Sequence, residues 1–349
     1  MRENRIACPT AVTVGKFDGL HRGHDLLAHR ILEQKGRGLS SVVVTFDASP
    51  RVVLQGQKNR SLVTREEKKY LLERDGIEYL AECSFEDEIV HMEPEEFIRL
   101  LKDNFSMKYL AVGTDFHFGY RGRGDVDLLR RLAGEMGFEL EVVEKIQEDS
   151  REISSTFIRE EIQKGHIKKA NHLLGYPYFA CGTVVHGKHL GSRLGFATIN
   201  ITPPPEKLLP PFGVYVTQVR IDGRTYRGVT NVGVKPTIEG ERLPGIETHI
   251  FDFSGELYGE RVCVSFFDFL RPEQNFPLWG RFAARWRRTS RGLWRILSPV
   301  DRAMESRGAM KKNEAGNEIN FCLQSHIPML YFVSMKLPVF GLTDTPTSG

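Results

Sequence analysis

The sequence has few of the features that mark secreted, membrane or nucleic-acid-binding proteins. It holds only five cysteines in 349 residues, and their scatter and odd number favour a reducing cytoplasm over a disulfide framework. A net charge of +3 is too small to indicate a nucleic-acid partner. No signal peptide precedes the first predicted strand, and the apolar segment 326–342 contains Lys336 and two prolines, so we expect no membrane span. The expected protein is cytoplasmic and binds neither nucleic acid nor membrane.

Two common phosphate-binding motifs, the P-loop and GxGxxG, are also absent. A different glycine-rich turn, GKFDGLHRGH at residues 15–24, lies between an apolar run predicted as a buried strand and residues 25–32, whose spacing predicts a helix. Parallel sheets bind phosphates at such turns, because the helix N-terminus presents unpaired N–H groups. His21 and His24 therefore suggest stabilisation of a nucleotide's phosphates during transfer. Zinc ligation and incidental surface histidines are the alternatives, although no other Cys or His pair has supporting spacing.

This turn resembles that of the adenylyltransferase half of the bacterial bifunctional riboflavin kinase/FAD synthetase family. In the wider nucleotidyltransferase superfamily, HxGH binds the phosphates of ATP. The resemblance implies that His21 and His24 are catalytic and, with other positive side chains, supply cations to the phosphates. The other ATP-binding residues that it implies in this turn are Gly15, Phe17, Asp18, Gly19 and Gly23.

The family's S-S-T-x-I-R motif occurs at residues 154–159, at the start of a predicted helix. The resemblance implies that this motif closes over ATP, and that Arg151 and Arg159 neutralise the leaving pyrophosphate, with Arg159 in a catalytic role. The remaining ATP contacts that it implies here are Ser154, Ser155 and Thr156. The alternative is that Ser154 or Ser155 only caps the helix.

Two further motifs follow predicted strands. Residues 113–125 match the family's G-x-D/N-F-x-F-G, which implies that Asp115 contacts ATP and that Phe118 contacts the flavin. A core-aromatic interpretation explains Phe118 but not the four glycines of this segment. Residues 45–51 match T-F-x-P-H-P only in part, because alanine and serine replace its first proline and its histidine. Pro50 is the flavin contact expected there.

From Tyr178 onward, short strands and turns carry motifs that resemble the riboflavin kinase barrel in their order. The family's G-F-P-T-A-N appears as GFATIN at residues 195–200. The resemblance implies that Glu247 orients and deprotonates the riboflavin 5′-hydroxyl, and that Arg271 contacts the flavin. The ATP contacts that it implies in this half are Gly187, Gly191, Arg193, Gly195 and Asn231.

The residue types themselves support a metal site in this half. Thr198 and Asn200 alternate along one predicted strand, so their oxygens lie on the same face. Hard oxygen ligands of this kind suit Mg²⁺, which also takes phosphate oxygens. The alternatives are a strand-end turn for these two residues and a solvated strand position for Glu247.

Alternating strands and helices in the first half predict a parallel sheet. Its strands are expected near Ala11, Ser41, Tyr79, Tyr109 and Glu139. The expected architecture is an α/β nucleotidyltransferase domain with a Rossmann-like sheet, followed by an all-β Greek-key barrel of the riboflavin kinase type. We expect the first domain at 1–162, a linker at 163–177 and the barrel at 178–277. Thr64 and Glu67 form a capping-box pattern at the start of one helix.

The C-terminal tail departs from the family. After residues 275–277 the family normally continues with an amphipathic helix that packs on the barrel and helps enclose the flavin. Here all three tryptophans lie between Trp279 and Trp294, and arginine rises abruptly. This break predicts a reading-frame shift near residue 278, which would leave 278–349 aberrant, poorly ordered and without an evolved packing partner. A genuine lineage-specific extension is the alternative.

The expected function is flavin cofactor biosynthesis. ATP would phosphorylate riboflavin to FMN in the barrel, with Mg²⁺, and the α/β domain would then join FMN to the AMP part of a second ATP, releasing pyrophosphate. Two alternatives stay open: an FAD synthetase whose kinase half is impaired by the altered tail, and a catalytically weak flavin-binding regulatory protein. No protein partner is predicted.

Overall fold

The computed structural model of the chain describes residues 5–46, 60–83, 91–185, 197–236, 242–273 and 331–335. Contacts divide the chain into two compact units. The N-terminal unit comprises residues 1–59, 68–146 and 328–349, and the barrel unit comprises residues 60–67 and 147–327. Residues 147–177 therefore group with the barrel unit, whereas we expected them in the first domain and a linker.

The N-terminal unit is built on a parallel sheet, as predicted. Its strands are β1 (Thr10–Val14), β2 (Ser40–Phe46), β3 (Tyr79–Cys83), β4 (Met107–Gly113), β5 (Glu139–Val143) and β14 (Tyr331–Met335), in the order β14-β3-β2-β1-β4-β5. The helices of this part of the chain are α1 (Arg22–Glu33), α2 (Arg65–Arg74), α3 (Pro94–Phe105) and α4 (Val126–Met136). The strand order reverses direction at β1, whose neighbours are β2 and β4. Sheets of this kind bind ligands at the carboxyl ends of their strands beside such a switch point.

The core of this unit explains why the strand ends are held firmly. Val12, Val42 and Leu110 are fully buried, and α3 packs Ile98 and Phe105 into the same apolar cluster. The central strands β1, β2 and β4 are buried along most of their length, which is the pattern of a parallel sheet covered on both faces. The polar residues that follow each strand are therefore carried on a rigid edge.

Strand β14 is the only part of the predicted aberrant tail that the structure describes. Tyr331–Met335 pairs in parallel with Tyr79–Cys83 of β3 at the edge of the sheet. These residues therefore have a backbone partner, because an edge strand can pair with another extended segment whatever its side chains. That the tail lacks an evolved packing partner stays a prediction. The rest of residues 278–349 lies outside the described part of the chain.

The barrel unit confirms the predicted all-β Greek-key barrel. Its elements are β6 (Gln147–Glu148), β7 (Arg151–Glu152), α5 (Ser155–Gln163), α6 (Ile167–Leu174), β8 (Phe179–Val185), β9 (Ala197–Ile201), β10 (Gly213–Ile221), β11 (Arg224–Pro236), β12 (Arg242–Ile250) and β13 (Arg261–Pro272). The last six strands close in the order β10-β11-β12-β9-β8-β13. Because β13 returns beside β10 after the β10-β11-β12 meander, these four strands form a Greek key. Across the described parts of the chain, no helix is long and apolar enough to cross a membrane.

A chain of threonines marks the inner face of the barrel. The hydroxyls of Thr217 and Thr230 lie 2.7 Å apart, those of Thr230 and Thr248 lie 2.8 Å apart, and all three side chains are fully buried. Successive strand residues point to opposite faces. The neighbours Asn231 and Glu247 therefore lie on the outer face of the barrel.

A buried ion pair joins the start of α2 to the barrel within this unit. Thr64 and Glu67 form the predicted capping box, with Thr64 N–H donating to Glu67 Oε2 at 2.9 Å and Glu67 N–H donating to Thr64 Oγ1 at 3.2 Å. Lys207 Nζ donates to Glu67 Oε2 and to the Leu62 carbonyl, each at 2.6 Å. Glu67 also accepts a hydrogen bond of 2.9 Å from the Cys181 N–H. The Glu67 carboxylate therefore caps α2 and also holds the start of this helix against the barrel.

A disulfide corrects the prediction drawn from cysteine usage. Cys181 on β8 and Cys263 on β13 lie directly opposite each other on neighbouring strands and are bonded, with a Cα–Cα distance of 4.1 Å. They are 82 residues apart in sequence, so their pairing depends on strand register and is invisible in the spacing. Cys8 and Cys83 are free thiols.

Candidate functional site

The glycine-rich turn leads directly into a helix N-terminus. Helix α1 begins at Arg22 rather than at the predicted Asp25, because the Asp25 N–H closes a first turn onto the His21 carbonyl at 2.9 Å. His21 is the N-cap residue, yet its side chain makes no capping hydrogen bond. His24 lies within the first turn. The motif therefore combines two imidazoles with the end of a helix that attracts anions.

The two imidazoles are stacked, with His21 buried and His24 half-buried. Their ring centroids lie 3.8 Å apart, and the Phe17 ring packs on His24 at 4.9 Å. Both Nδ1 atoms are buried without a hydrogen-bond partner. Buried polar atoms are normally satisfied, so this pair of orphaned nitrogens indicates a place for a ligand.

Burial keeps both histidines neutral in the ligand-free protein. Desolvation lowers the pKa of His21 to about 4, with a smaller opposing effect from Asp18. It also lowers the pKa of His24 well below the ordinary value, and the nearby His21 and Lys68 lower it further. In the ligand-free protein these residues therefore carry no positive charge, because an apolar environment disfavours the charged imidazole. That they supply cations to bound phosphates stays a prediction.

The turn itself is held in an unusual conformation. Phe17 and Leu20 have φ of 46° and 41°, and Gly19 has φ of 89°. Left-handed backbone at residues other than glycine is costly, and it clusters at binding sites. A Cβ at Gly15 would lie 3.2 Å from the Phe17 ring, so the glycine leaves room for that ring beneath the histidines.

Lys68 of α2 contacts this turn, although no sequence motif marks it. Its Nζ donates to the Lys16 carbonyl at 3.1 Å and to Thr45 Oγ1 at 3.0 Å. Thr45 Oγ1 in turn donates to the same carbonyl at 3.0 Å. A lysine one turn into an amphipathic helix looks like any surface lysine, and only the fold shows that it reaches the turn.

The two predicted site residues after β4 differ in burial, because Asp115 is exposed and Phe118 lies in the core. Asp115 pairs with Lys145 at 2.7 Å beyond the end of the strand. Phe118 is 5 % exposed and belongs to the apolar core, where it stacks on Phe116 at a centroid distance of 5.4 Å. This placement favours the core-aromatic interpretation over the predicted flavin contact at Phe118.

The S-S-T-x-I-R motif starts helix α5 in the barrel unit. Ser154 is the N-cap residue, and its Oγ accepts a hydrogen bond of 3.3 Å from the Phe157 N–H. Arg151 makes a two-point ion pair with Glu160 at 2.6 and 2.9 Å and lies 4.2 Å from the Phe157 ring centroid.

The other members of this motif lie in the same unit. Ser155 and Thr156 form the first turn of α5, and Arg159 Nε donates to the Arg60 carbonyl at 3.2 Å. His21 and His24 belong to the N-terminal unit, whereas this motif belongs to the barrel unit. That the two sets share one ATP site stays a prediction.

The predicted kinase residues meet on the outer face of the barrel. Register places Asn231 of β11 opposite Glu247 of β12, and Glu247 opposite Asn200 of β9. One step along the strands, Thr198 stands opposite His249, and Thr198 Oγ1 shares a hydrogen bond of 2.9 Å with His249 Nδ1. The structure thus brings together the predicted carboxylate base and both predicted metal ligands. His249 is a neighbour that the motif reading missed.

Asn231 is oriented by a second residue that the sequence did not reveal. Its Nδ2 donates to Glu273 Oε1 at 3.1 Å, while its Oδ1 is buried without a partner. A Cβ on Gly233 would clash with the Glu273 carboxylate, so the glycine makes room for this contact. Arg271 lies close by on β13, and its guanidinium donates to the Pro272 carbonyl at 3.2 Å.

Comparison with known proteins agrees with both halves of this geometry. A family model for FAD synthetase matches residues 3–157, and one for riboflavin kinase matches residues 174–285. The chain is 34% identical to a bifunctional riboflavin kinase/FMN adenylyltransferase of Pseudomonas fluorescens over 266 residues, 76% of this chain and 85% of that protein. The chain belongs to this family. A relative with the same name from Bacillus subtilis is 35% identical over 275 residues, 76% of this chain and 86% of that protein.

A solved structure shares the fold. It is described as a macrolide-efflux protein from Streptococcus pneumoniae, and it superposes with a TM-score of 0.71 at 29% identity, covering 82% of this chain and 94% of that one. The two family matches include Ser154, Ser155 and Thr156 but leave Arg159 just outside. The riboflavin kinase match continues to residue 285, past the frame shift predicted near residue 278.

Several predicted residues of this family's sites lie outside the described part of the chain. They are Pro50, Gly187, Gly191, Arg193 and Gly195. Their roles in binding flavin and ATP therefore stay predictions.

Proposed function

We propose that this enzyme makes FAD from riboflavin at two separate sites, built from the residues described above. It is a riboflavin kinase and FMN adenylyltransferase, with ATP, riboflavin and FMN as substrates. The observation that carries the first site is the pair of buried, unpartnered imidazole nitrogens at the start of α1. The observation that carries the second is the row Asn231–Glu247–Asn200 across three barrel strands.

At the first site, a phosphate oxygen of FMN attacks the α-phosphorus of ATP, the bond to the β-phosphate breaks, and pyrophosphate leaves. The start of α1 and the imidazoles of His21 and His24 donate hydrogen bonds to phosphate oxygens as charge develops. An anionic triphosphate favours the charged imidazole. The histidines therefore take up positive charge when the nucleotide binds, rather than beforehand. Arg151, Arg159 and the serines of α5 are proposed to stabilise the pyrophosphate.

At the second site, Glu247 accepts the proton of the riboflavin 5′-hydroxyl as its oxygen attacks the γ-phosphorus of ATP, and ADP leaves. The side-chain oxygens of Thr198 and Asn200 are hard ligands of the kind that Mg²⁺ takes, together with phosphate oxygens. When bound there, Mg²⁺ would neutralise charge on the transferring phosphoryl group. His249 holds the Thr198 hydroxyl, and Glu273 leaves Asn231 Oδ1 available as an acceptor. Both reactions consume ATP, which supports a cytoplasmic location.

The two-site assignment is tested by following FMN and FAD over time with riboflavin and Mg·ATP. His24→Ala should slow FAD formation about a hundredfold to a thousandfold and leave FMN formation unchanged. Glu247→Gln should slow FMN formation roughly a hundredfold to ten-thousandfold, while FMN supplied directly is still converted to FAD.

The matched controls are His29→Ala, an exposed histidine of the same helix, and Glu256→Gln, an exposed carboxylate of the barrel. Neither should change either rate. Equal loss of both activities in either active-site variant would contradict the assignment of two separate sites.

A further inference from the structure

Positive charge at the first site does not come from its histidines in the resting enzyme. Burial keeps the imidazoles of His21 and His24 neutral, although the substrate carries a triphosphate. A site that binds such an anion needs cations or oriented N–H groups to offset the charge. The question is which side chain supplies this charge before the nucleotide arrives.

Lys68 places a positive charge beside the glycine-rich turn. Its ammonium is fixed at the carboxyl edge of the sheet by the Lys16 carbonyl, one residue into the glycine-rich turn, and by Thr45 Oγ1 near the end of β2. It is also close enough to His24 for its charge to act on that ring. Lys68, the turn and His24 all belong to the N-terminal unit.

We propose that Lys68 is a phosphate-binding residue of the FMN adenylyltransferase site. This inference rests on the proposed assignment of that turn to ATP. In the resting enzyme, the ammonium provides the standing positive charge that draws in the triphosphate. Its repulsion adds to the larger effect of burial, which already lowers the pKa of His24 in the resting enzyme. The phosphates then screen Lys68 from His24, and the imidazole becomes able to hold a proton beside the transferring group.

Lys68→Met removes the charge and keeps most of the apolar stem. Inorganic pyrophosphate, titrated by calorimetry, is the probe of the phosphate site. We expect Lys68→Met to weaken its binding about 10- to 100-fold, the loss typical of a charge-assisted hydrogen bond, and to raise KM for ATP in FAD formation. Lys68→Arg keeps the charge and should retain most of the binding. Lys69→Met removes an equal charge from the next position of the same helix and should change neither.

Three further readouts separate binding from scaffolding. Riboflavin phosphorylation should be normal in Lys68→Met, because that reaction takes place in the barrel. The His24 pKa, followed by NMR of its ring protons, should rise in Lys68→Met and stay unchanged in Lys69→Met. Thermal stability should be similar in Lys68→Met and Lys68→Arg.

The inference would be overturned if Lys68→Met bound pyrophosphate within twofold of the wild-type affinity. It would also be overturned if Lys68→Met and Lys68→Arg lost equal pyrophosphate affinity, or if the His24 pKa did not change in Lys68→Met. The parallel variant His24→Ala distinguishes this failure from a wider one. If His24→Ala abolishes FAD formation while Lys68→Met binds pyrophosphate normally, only the role of Lys68 is wrong. If His24→Ala leaves FAD formation intact, the proposed site itself is wrong.

Discussion

Lys207→Met should be among the most destabilising single changes in the barrel unit. The Lys207 ammonium and the Glu67 carboxylate are 0% and 1% exposed, and their charges meet at 2.6 Å. The ammonium also lies 4.5 Å from the centre of the Tyr178 ring. Methionine would fill the space of the lysine stem but leave the Glu67 charge buried without its cation. Breaking one side of a buried pair costs about 3–5 kcal/mol.

The measurement is urea unfolding followed by circular dichroism, with thermal unfolding as a second readout. A loss of this size corresponds to a fall in Tm of roughly 10 °C for a unit of this size. Adding Glu67→Gln removes the stranded charge, so the double variant should lose less than the sum of the two single losses. Lys168→Met is the control, because it breaks a barrel-unit pair with Asp268 in which the lysine is 61% exposed; this should cost within about 1 kcal/mol.

The reasoning would be refuted if Lys207→Met unfolded within 1 kcal/mol of the wild type, or if it behaved like Lys168→Met. Strictly additive losses in the double variant would also contradict it, since the two charges would then not interact.

Three further predictions follow from burial, the disulfide and backbone geometry. His21 has a pKa of about 4 when folded and 6.5 when unfolded, so the unfolded state binds more protons between these values; stability should fall by up to about 3 kcal/mol as pH drops from 6.5 to 4, and His21→Gln should flatten this pH dependence. Cys263→Ser should cost about 2–4 kcal/mol, and a Tm that reductant does not change in the wild type would show that the disulfide is absent in solution. Gly119→Ala should destabilise the protein by about 1–3 kcal/mol, because φ is +72° and the new Cβ would lie 2.7 Å from the Pro94 backbone nitrogen. Gly36→Ala is the control and should not destabilise it, because a Cβ there meets no atom within 4 Å. Equal unfolding midpoints for the two variants would count against this reasoning.

Local signals in the sequence predicted the elements and motifs well. Apolar runs marked β1 to β5, and Thr64 and Glu67 marked the start of α2. The motif strings placed His21, His24 and Glu247 at the right kind of position, because strand-to-helix turns and alternating strand residues are short-range patterns. The start of α1 was misplaced by three residues, since His21 caps that helix through its backbone position rather than with a typical capping side chain.

Contacts between distant segments could not be predicted from the sequence. Lys68 reaches a carbonyl 52 residues away, Glu273 reaches an amide 42 residues away, and the bonded cysteines are 82 residues apart. The charge state of His21 was also missed, because it depends on burial that no local pattern encodes. Phe118 shows the converse case, in which the fold places a motif residue in the core, and its flavin contact stays a prediction.

The outer-face row Asn231–Glu247–Asn200 has a consequence for how this enzyme can change over evolutionary time. Each of the three side chains points outward only because its strand holds its present register. Substitutions at neighbouring positions leave that register intact, but inserting or deleting one residue within β9, β11 or β12 would turn a reacting side chain toward the threonine-lined interior. Length variation among natural relatives should therefore be confined to the connections between these strands, and even a single-codon insertion inside one of them should abolish riboflavin phosphorylation.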